Sequence, residues 1–414
     1  MVETLKVRDA KDVEAVVRAA IAAEEPLEIA GHGSKRDIGQ PVSANRVLDV
    51  SALNAVSSYE PHELIVTVQA GAPVADVIAM MDAKNQEFAF EPMDASVLLG
   101  TTLGQGTIGG MIASGLSGPR RVRSGGVRDH LLGGNAVSGF GDAFVAGSRV
   151  VKNVTGYDIS KLLAGSWGTL AVLTEVTIKL VPKAEAQATL VLRGLDDATA
   201  NRAMIKAMGS SFDASGAAHL PVSNQQALDG ALARAGAPQQ ALTLVRVEGI
   251  DVSVAERARS LASVLSAFGA VETITDDESA EIWAALRDVT PFAAGSKLGG
   301  HAVWRIVCPP TAGDGLGAAL RRETGGEVIY DWGGGLVWAA VPPATDAHAA
   351  TVRAHSAAAG GHAMLLRAPK EVRAAVDVFQ PQAPGVAALS RRLKNSFDPR
   401  RILNRGRMRR DDNP

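Results

Sequence analysis

The sequence predicts an α+β protein made of two or three packed units. Its 414 residues exceed the roughly 100–200 residues of a typical single domain. Short helical and strand-like patterns occur along the whole chain, without a fixed repeat. Glycine is concentrated in one stretch, because residues 100–168 contain 17 of the 43 glycines while apolar residues continue to recur there. So many glycines within structured sequence indicate a backbone that approaches another group closely.

The composition is that of an ordinary globular protein, with 46% hydrophobic and 21% charged residues. A net charge of -2 excludes nucleic-acid binding through a generally basic surface. Cys308 is the single cysteine, which excludes an internal disulfide and a cysteine-ligated zinc or iron–sulfur centre. We expect no secretory signal, because no apolar stretch follows a basic start, and no run of about 18 apolar residues occurs in the sequence. We expect a cytoplasmic protein without a transmembrane segment; peripheral attachment to the inner membrane through a partner stays open.

The first part of the chain begins with a helix and short strands. Apolar residues recur at helical spacing in residues 11–23. Later patterns predict strands at 27–30, 46–50, 64–68 and 170–181 and a helix at 73–83. Parallel crossovers are not expected among the strands of the first hundred residues.

A second α+β unit is predicted after Pro182, where the glycine-rich character ends. Its elements are strands at 188–192, 241–248, 303–307 and 336–341, and helices at 197–208, 224–235, 253–268 and 278–287. Two further helices are predicted at 371–378 and 385–396, before a basic tail. We therefore expect domains at residues 1–184 and 185–370, with a C-terminal segment at 371–414.

The run Gly31-His-Gly-Ser-Lys-Arg36 follows a predicted strand and has small residues where a turn is needed. Successive backbone N–H groups in such a turn can converge on an anion. Ser34 adds a hydroxyl donor, and Lys35 and Arg36 add positive charge. This chemistry suits a phosphate or pyrophosphate. A tight turn carrying two solvated cations is the alternative.

Gly104-Gln-Gly-Thr-Ile-Gly109 fits the pattern G-x-G-x-x-G, with Asp129 twenty residues later. A nicotinamide-binding Rossmann unit needs a strand directly before that pattern, and no strand is predicted there. The run from Thr107 instead predicts a helix start whose free N–H groups face a phosphate. Simple packing of this helix against a strand is the alternative.

Motifs for hydrolysis or metal binding are absent. The sequence contains no G-x-S-x-G and no H-E-x-x-H, and its eight histidines are scattered. We predict no metal site and assign no catalytic base.

Six motifs occur in an order that is more specific than any one of them. They are Gly31 to Arg36, Glu60-Pro-His-Glu-Leu-Ile-Val-Thr-Val-Gln-Ala-Gly71, Thr107-Ile-Gly-Gly-Met-Ile-Ala113, Arg120-Arg-Val-Arg-Ser-Gly-Gly-Val-Arg-Asp129, Lys152-Asn-Val-Thr-Gly-Tyr-Asp158 and Gly165-Ser-Trp-Gly-Thr-Leu-Ala-Val-Leu-Thr-Glu175. This set resembles the FAD-binding domain of the vanillyl-alcohol oxidase and p-cresol methylhydroxylase (PCMH) family. The closing Phe397-Asp-Pro-Arg-Arg-Ile-Leu-Asn-Arg-Gly406 resembles the family's C-terminal signature.

The resemblance implies a fold and a function. The fold would be a PCMH-type two-lobed FAD-binding domain, a smaller-sheet α+β cap domain and a C-terminal segment that returns to the flavin. Within the family, the motifs around Arg120 and Tyr157 look most like the FAD-binding subunits of bacterial glycolate oxidases. That likeness implies oxidation of glycolate or a similar small 2-hydroxy acid in a complex with a sister FAD subunit and an iron–sulfur subunit.

Carried over position by position, the resemblance also implies which residues bind FAD. They are Gly31, His32, Gly33, Ser34, Lys35 and Arg36 at the pyrophosphate, Thr107, Gly109, Gly110 and Ala113 along the ribityl and flavin side, Arg128 and Asp129 after that helix, Gly168, Thr169, Leu170 and Val172 at the adenosine or flavin, and Asn404 near the isoalloxazine ring. Arg120, Arg121 and Arg123 are candidates to hold a substrate carboxylate.

Departures from the family pattern leave alternatives open. Covalent members have a histidine at the position of Gly33, so FAD is expected to be bound non-covalently, without a link to His32. The cap motif H-x-G-D-G-N-x-H of related 2-hydroxyacid dehydrogenases is missing. The chain is therefore either a catalytic subunit or a flavin relay or structural subunit whose sister chain performs the chemistry. A free-standing FAD oxidase with another small hydroxy substrate is the third alternative.

Overall fold

The structure is a computed structural model that describes residues 2–147, 157–222, 230–236 and 240–410. Most of the predicted motif at 152–158 and the first residues of the predicted helix at 224–235 lie outside the described residues. The strands are β1 (Glu3–Lys6), β2 (Leu27–Ala30), β3 (Arg46–Asp49), β4 (Val56–Glu60), β5 (Ile65–Gln69), β6 (Gln86–Glu87), β7 (Leu131–Ser138), β8 (Ala143–Gly147), β9 (Ala171–Lys179), β10 (Val181–Pro182), β11 (Ala186–Arg193), β12 (Gly216–Leu220), β13 (Leu242–Gly249), β14 (Val271–Thr275), β15 (Ala302–Val307), β16 (Glu327–Asp331), β17 (Leu336–Val341) and β18 (His362–Arg367).

The α-helices alternate irregularly with these strands. They are α1 (Ala10–Ala23), α2 (Val74–Asp82), α3 (Ser96–Leu99), α4 (Ile108–Ser114), α5 (Arg121–Ser124), α6 (Val127–His130), α7 (Ile159–Leu163), α8 (Asp197–Met208), α9 (Gly230–Ala235), α10 (Asp251–Leu265), α11 (Asp276–Arg287), α12 (Gly313–Thr324), α13 (Ala349–Ala358), α14 (Lys370–Ala375) and α15 (Pro384–Phe397). We call β1–β10 and their helices the N-terminal unit, and β11–β18 and theirs the second unit.

The N-terminal unit contains two main sheets. The first has the order β1-β3-β2 and is parallel, with α1 as the crossover between β1 and β2. The expectation that parallel crossovers are absent here is therefore wrong, because α1 buries Val13 and Val17 against this sheet. The second sheet is antiparallel, with the order β4-β5-β9-β7-β8. No strand immediately precedes residues 104–109 in the described chain, so the Rossmann pattern lacks its context.

The second unit is one antiparallel sheet with helices. In the described residues the sheet has eight strands, in the order β14-β11-β13-β12-β16-β17-β15-β18. It is the largest sheet described in this chain, so the expectation of a smaller sheet is wrong. Successive side chains of a strand point to opposite faces. On β15, Trp304 packs with α8, α10, α12 and α13, whereas Val303 packs on the face that meets Leu98 and Trp167 of the N-terminal unit.

The chain after α14 returns to the N-terminal unit, as predicted. Leu403 pairs in parallel with Leu27, which extends the first sheet beyond β2. The N–H of Leu27 donates to the carbonyl of Ile402 at 2.7 Å, and the N–H of Asn404 donates to the carbonyl of Leu27 at 3.0 Å. Lys394 on α15 donates from Nζ to the carbonyl of Thr169 at 2.6 Å. The fold therefore needs residues from both ends of the chain.

Five buried or half-buried charges join the two units, and we call them the interface cluster: Glu87, Glu91, Arg120, Arg246 and Glu248. Arg246 donates to both carboxylate oxygens of Glu91, at 2.8 and 3.0 Å. Arg120 donates to Glu248 at 2.6 Å and pairs with Glu87 at 2.8 Å. Burial alone would raise the pKa of Glu248, but Arg246 and Arg120 hold it at about 2. Because an unpaired buried charge is costly, these contacts fix how the units meet.

Candidate functional site

One cavity brings together most of the residues that the sequence predicts to bind FAD, and we call it the main cavity. The empty space in this cavity and at its open mouth is about 790 Å³. Twelve of the seventeen predicted residues line it: Gly31, His32, Gly33, Ser34, Lys35, Arg36, Thr107, Gly109, Gly110, Ala113, Gly168 and Asn404. The cavity therefore joins β2, α4, the turn before β9 and the C-terminal segment.

The turn after β2 presents unpaired backbone donors. Within the described part of the chain, the N–H groups of residues 31–35 donate to no acceptor. The N–H of Arg36 is the first that is paired, to the carbonyl of Gly33 at 3.1 Å. Gly33 has φ +78°, a left-handed conformation that favours glycine. A series of free donors on one turn has the chemistry of an anion-binding nest.

Gly31 lets this turn approach the start of α4. A Cβ at Gly31 would lie 2.6 Å from Cγ2 and 2.8 Å from Oγ1 of Thr107. Real Cβ atoms are not found so close to other heavy atoms. Glycine is therefore required here for the contact between the turn and α4, which form two walls of the main cavity.

Lys35 adds a positive charge that has no partner among the described residues. Its ammonium makes no hydrogen bond or ion pair with any described residue. Burial lowers the pKa of Lys35, and the nearby Asp94 carboxylate offsets part of this effect. Asp94 itself accepts hydrogen bonds from the N–H groups of Ser96 and Gly104, each at 3.0 Å. Arg36, in contrast, donates from Nε to Glu28 at 2.9 Å. Lys35 is therefore the cation that is available to an anionic ligand.

The first N–H groups of α4 are already paired. Oγ1 of Thr107 accepts from the N–H of Gly110 at 3.2 Å. The N–H groups of Ile108 and Gly109 donate to carbonyls of residues 70–72, at 2.9 and 2.7 Å. The prediction that these groups are free for a phosphate is wrong, because α4 packs against the chain that follows β5. A Cβ at Gly109 would lie 2.9 Å from that segment, so this glycine serves packing.

Asn404 joins three parts of the cavity wall. Its Oδ1 accepts from the N–H of Ile29 at 2.9 Å, and its Nδ2 donates to the carbonyl of Trp167 at 2.8 Å. A Cβ at Gly168 would lie 2.7 Å from Nδ2 of Asn404. The amide thus holds β2 and the turn at 167–168 at a fixed separation.

Five predicted residues do not line the main cavity. Arg128 and Asp129 are exposed on α6 and line a separate cavity with Arg121. Thr169 and Leu170 line a third cavity, beside α15. Val172 is 1% exposed and packs in the core with α1. Neighbouring positions in the sequence therefore face different surroundings.

Ten lining residues were not predicted. They are Ile29, Ala30, Val50, Ala70, Ser114, Ser166, Trp167, Ala171, Leu173 and Arg407. Arg407 is 5% exposed and donates to the carbonyl of Ile38 at 3.0 Å and to Glu28 at 3.1 Å. Its place in a basic tail concealed it, whereas Ser166 and Trp167 stand beside a predicted glycine and could have been included.

Two kinds of feature are absent from the described residues. No group of three or more His, Cys, Asp or Glu side chains there is arranged to hold a metal ion. Among the described helices, none combines the length and the apolar character that crossing a membrane requires.

Known protein families match both units of the chain. The FAD binding domain matches residues 4–147, and the C-terminal domain of FAD linked oxidases matches residues 179–313. Glycolate oxidase subunit GlcE of Escherichia coli (strain K12) is 32% identical over 393 residues, which cover 95% of this chain and 95% of the relative. The chain belongs to the FAD-linked oxidase family. As a member of this family it is an oxidoreductase whose cofactor is FAD.

Other comparisons of this FAD-linked oxidase are partial or more distant. Glycolate oxidase subunit GlcD of Bacillus subtilis (strain 168) is 31% identical over 174 residues, 41% of this chain and 35% of the relative. The solved structure of p-cresol methylhydroxylase with substrate bound superposes with a TM-score of 0.68 at 13% identity, over 98% of this chain and 88% of that chain. This similarity confirms the predicted PCMH-type fold.

Proposed function

We propose that this chain is the FAD-carrying subunit of a complex that oxidises glycolate, or a similar small 2-hydroxy acid, to the 2-oxo acid. The similarity to a glycolate oxidase subunit over 95% of the chain supports this substrate class. A sister FAD subunit and an iron–sulfur subunit are the proposed partners. Cytoplasmic location, and attachment to the inner membrane through those partners, stay predictions.

The unpaired donors of residues 31–35 are the observation that carries the assignment of the FAD site. The pyrophosphate of FAD has two negative charges, which match successive N–H donors and the unpartnered ammonium of Lys35. We place the pyrophosphate at this turn. Gly109, Gly110 and Ala113 of α4 would form the wall beside the ribityl chain.

Other residues would shape the site without holding the phosphates. Asn404 uses its amide to fix Ile29 and Trp167, so its proposed role is to position two walls. His32 is exposed at the edge of the main cavity, and we propose non-covalent FAD binding. Bound FAD would accept the two electrons of the alcohol oxidation.

The relay alternative is supported by the titratable groups around the cavity. Among the described lining residues these groups are His32, Lys35, Arg36 and Arg407, and none is a carboxylate. No group there is an obvious base for the substrate hydroxyl. In this alternative the chain carries FAD while the sister subunit oxidises the acid.

Anaerobic spectroscopy of the purified chain separates these possibilities. We expect the chain to retain stoichiometric FAD that is released by denaturation, which also tests the non-covalent linkage. Loss of the visible flavin absorption on adding glycolate would make this chain the catalytic subunit. Retained absorption, with loss only after the sister subunit is added, would establish the relay role. A chain that does not bind FAD after reconstitution would overturn both.

A further inference from the structure

Three nearby arginines, which the sequence could not distinguish, have different surroundings. Arg120 belongs to the interface cluster, where it is paired with buried carboxylates. Arg123 is paired with Asp213, and its Nε donates at 2.7 Å. Arg121 makes no side-chain hydrogen bond or ion pair with any described residue. Of the three, Arg121 therefore keeps its guanidinium available to a ligand.

A second available guanidinium meets Arg121 from the other unit. Cζ of Arg121 lies 5.1 Å from the centre of the Trp332 ring, and Cζ of Arg305 on β15 lies 4.9 Å from it. Arg305 also lies 6.0 Å from the ring centre of Trp338. Arg305, too, makes no side-chain hydrogen bond or ion pair with a described residue. Two guanidinium groups from different units thus converge on one indole ring.

Positive charge is in excess where the two guanidinium groups approach Trp332. Burial, together with the positive charge of Arg121, lowers the pKa of Arg305 to about 10. Burial and the same two arginines lower the pKa of His362. Asp331 is the acid near Arg305, but it accepts from the N–H of Trp332 at 2.6 Å and burial raises its pKa to about 7. On the side of Arg121, the cavity that this arginine lines is also lined by Asp129, which accepts from the N–H of Gly126 at 2.7 Å, and by the cations Arg128 and Lys161. Contact with an aromatic ring offsets only part of the repulsion between two cations, and an anion between them would remove it.

The position relative to the main cavity fits a substrate site. Arg121 lines a neighbouring cavity together with Ser114 at the end of α4. Ser114 also lines the main cavity, so this residue borders both spaces. Gly126 leaves room for this arrangement, because a Cβ there would collide with the Arg121 guanidinium. An anion bound at Arg121 would therefore lie near the C-terminal end of α4.

We propose that Arg121 and Arg305 form an anion site between the two units that receives the carboxylate of the small 2-hydroxy acid. The proposal rests on the proposed function for the identity of the substrate. Guanidinium groups bind carboxylates through paired hydrogen bonds, and Trp332 would keep both groups in place. The site is built from both units, so it exists only while the interface cluster holds them together.

Binding of oxalate to the FAD-loaded chain tests the proposal without turnover. Oxalate is a two-carbon carboxylate that has no carbinol C–H bond to oxidise. We expect Arg121→Met and Arg305→Met each to raise its Kd, measured by calorimetry at low salt, by tenfold or more. Arg123→Met should change the Kd less than twofold. Arg305→Lys keeps the charge without the paired donors and should show an intermediate loss even if Arg305→Met fails to fold.

Several outcomes would overturn the proposal. One is an oxalate Kd that is unchanged in both Arg121→Met and Arg305→Lys, and another is the absence of oxalate binding to the wild-type chain. Binding of inorganic phosphate with equal affinity and the same arginine dependence would overturn the carboxylate assignment. FAD content is measured in each sample, because loss of FAD from the wild type would contradict the proposed function instead, and the apo chain would still report on the arginines.

Discussion

Residues 31–36 and the interface cluster hold polar groups in opposite ways. Within a few consecutive residues, the turn gathers N–H donors and the Lys35 ammonium, none of which has a partner in the described part of the chain. The interface cluster pairs each of its charges with another, across sequence separations of up to 155 residues. The turn therefore presents donors that an anion from outside the chain can accept, whereas the interface cluster contains its own anions. Buried polar groups normally have hydrogen-bond partners. A set of donors without partners therefore indicates a ligand site, whereas a fully paired set indicates a structural contact between units.

Removing one cation from the interface cluster should cause the largest loss of stability. Arg246 is 1% exposed, and Arg246→Met would leave the Glu91 carboxylate buried without its bidentate partner. We expect the free energy of unfolding to fall by about 3–5 kcal/mol. Urea unfolding followed by tryptophan fluorescence measures this loss.

The matched control for that variant is an exposed ion pair. Arg234→Met removes a surface contact with Glu278 and Glu281, for which we expect a loss below about 1 kcal/mol. If both arginine variants lose the same free energy of unfolding, the interface cluster contributes no more to stability than a surface ion pair.

Asp331, which lies beside the interface cluster, should make the stability of the protein depend on pH. Burial raises its pKa to about 7, far above the value of about 3.9 in an unfolded chain. The folded state therefore binds more protons between these values, and stability should fall as pH rises through this window. The loss is at most about 4 kcal/mol, because one pKa unit corresponds to about 1.4 kcal/mol.

Asp331→Asn tests this dependence, since the amide oxygen can still accept from the N–H of Trp332. Thermal unfolding of the variant should vary less between about pH 4 and pH 7 than that of the wild type. Asp277→Asn, at an exposed position in the first turn of α11, is the control. If the pH dependence of Asp331→Asn matches the wild type, the carboxyl does not titrate as stated.

Lys35→Met tests the opposite region by removing its free cation. We expect the Kd for FAD to rise about 10- to 100-fold, since a hydrogen bond to a charged group contributes about 1.5–3 kcal/mol. Riboflavin has no phosphate, so its affinity should be unchanged. Fluorescence titration of both ligands gives the comparison, with Lys11→Met on the exposed side of α1 as the control. A parallel loss for riboflavin would place Lys35 away from the pyrophosphate.

Gly31→Ala should have the smallest effect of this series. The new methyl group would meet the Thr107 side chain at 2.6 Å and push the turn away from α4. Overpacking of this kind costs about 1–3 kcal/mol, so we expect the Kd for FAD to rise by roughly tenfold. Gly295→Ala, where a Cβ would meet nothing within 4 Å, should leave the Kd unchanged. Unchanged FAD affinity in Gly31→Ala would show that the turn tolerates displacement.

The sequence predicted elements well where the pattern is local. The helix expected at 197–208 and the strand expected at 336–341 have these same bounds in the structure. Strands that depend on distant partners were missed. β12 consists of Gly216, two alanines, His219 and Leu220, which have little strand propensity, yet it pairs with β13 on one side and β16 on the other. Its pairing partners, and not its own residues, decide its conformation.

The candidate site shows the same division. The glycine motifs correctly indicate that Gly31, Gly109 and Gly168 lie at one cavity. At each of these positions a neighbouring group lies so close to the backbone that a Cβ would collide with it. The motifs could not show that the α4 amides are paired, since the acceptors lie on residues 70–72. Nor could they separate Arg120 from Arg121, because the difference depends on carboxylates far away in the sequence.

The pairing of Leu27 with Leu403 has a consequence for biosynthesis. A ribosome makes the chain from its N-terminus, so β2 leaves the exit tunnel long before the residues that cover its edge. Until residues 402–404 emerge, the first sheet has an open hydrogen-bonding edge of the kind that invites association with other chains. We therefore expect chaperones to bind a nascent or prematurely terminated chain, in which this edge is uncovered. Emergence of residues 402–404 is the event that allows the β2 edge to be covered.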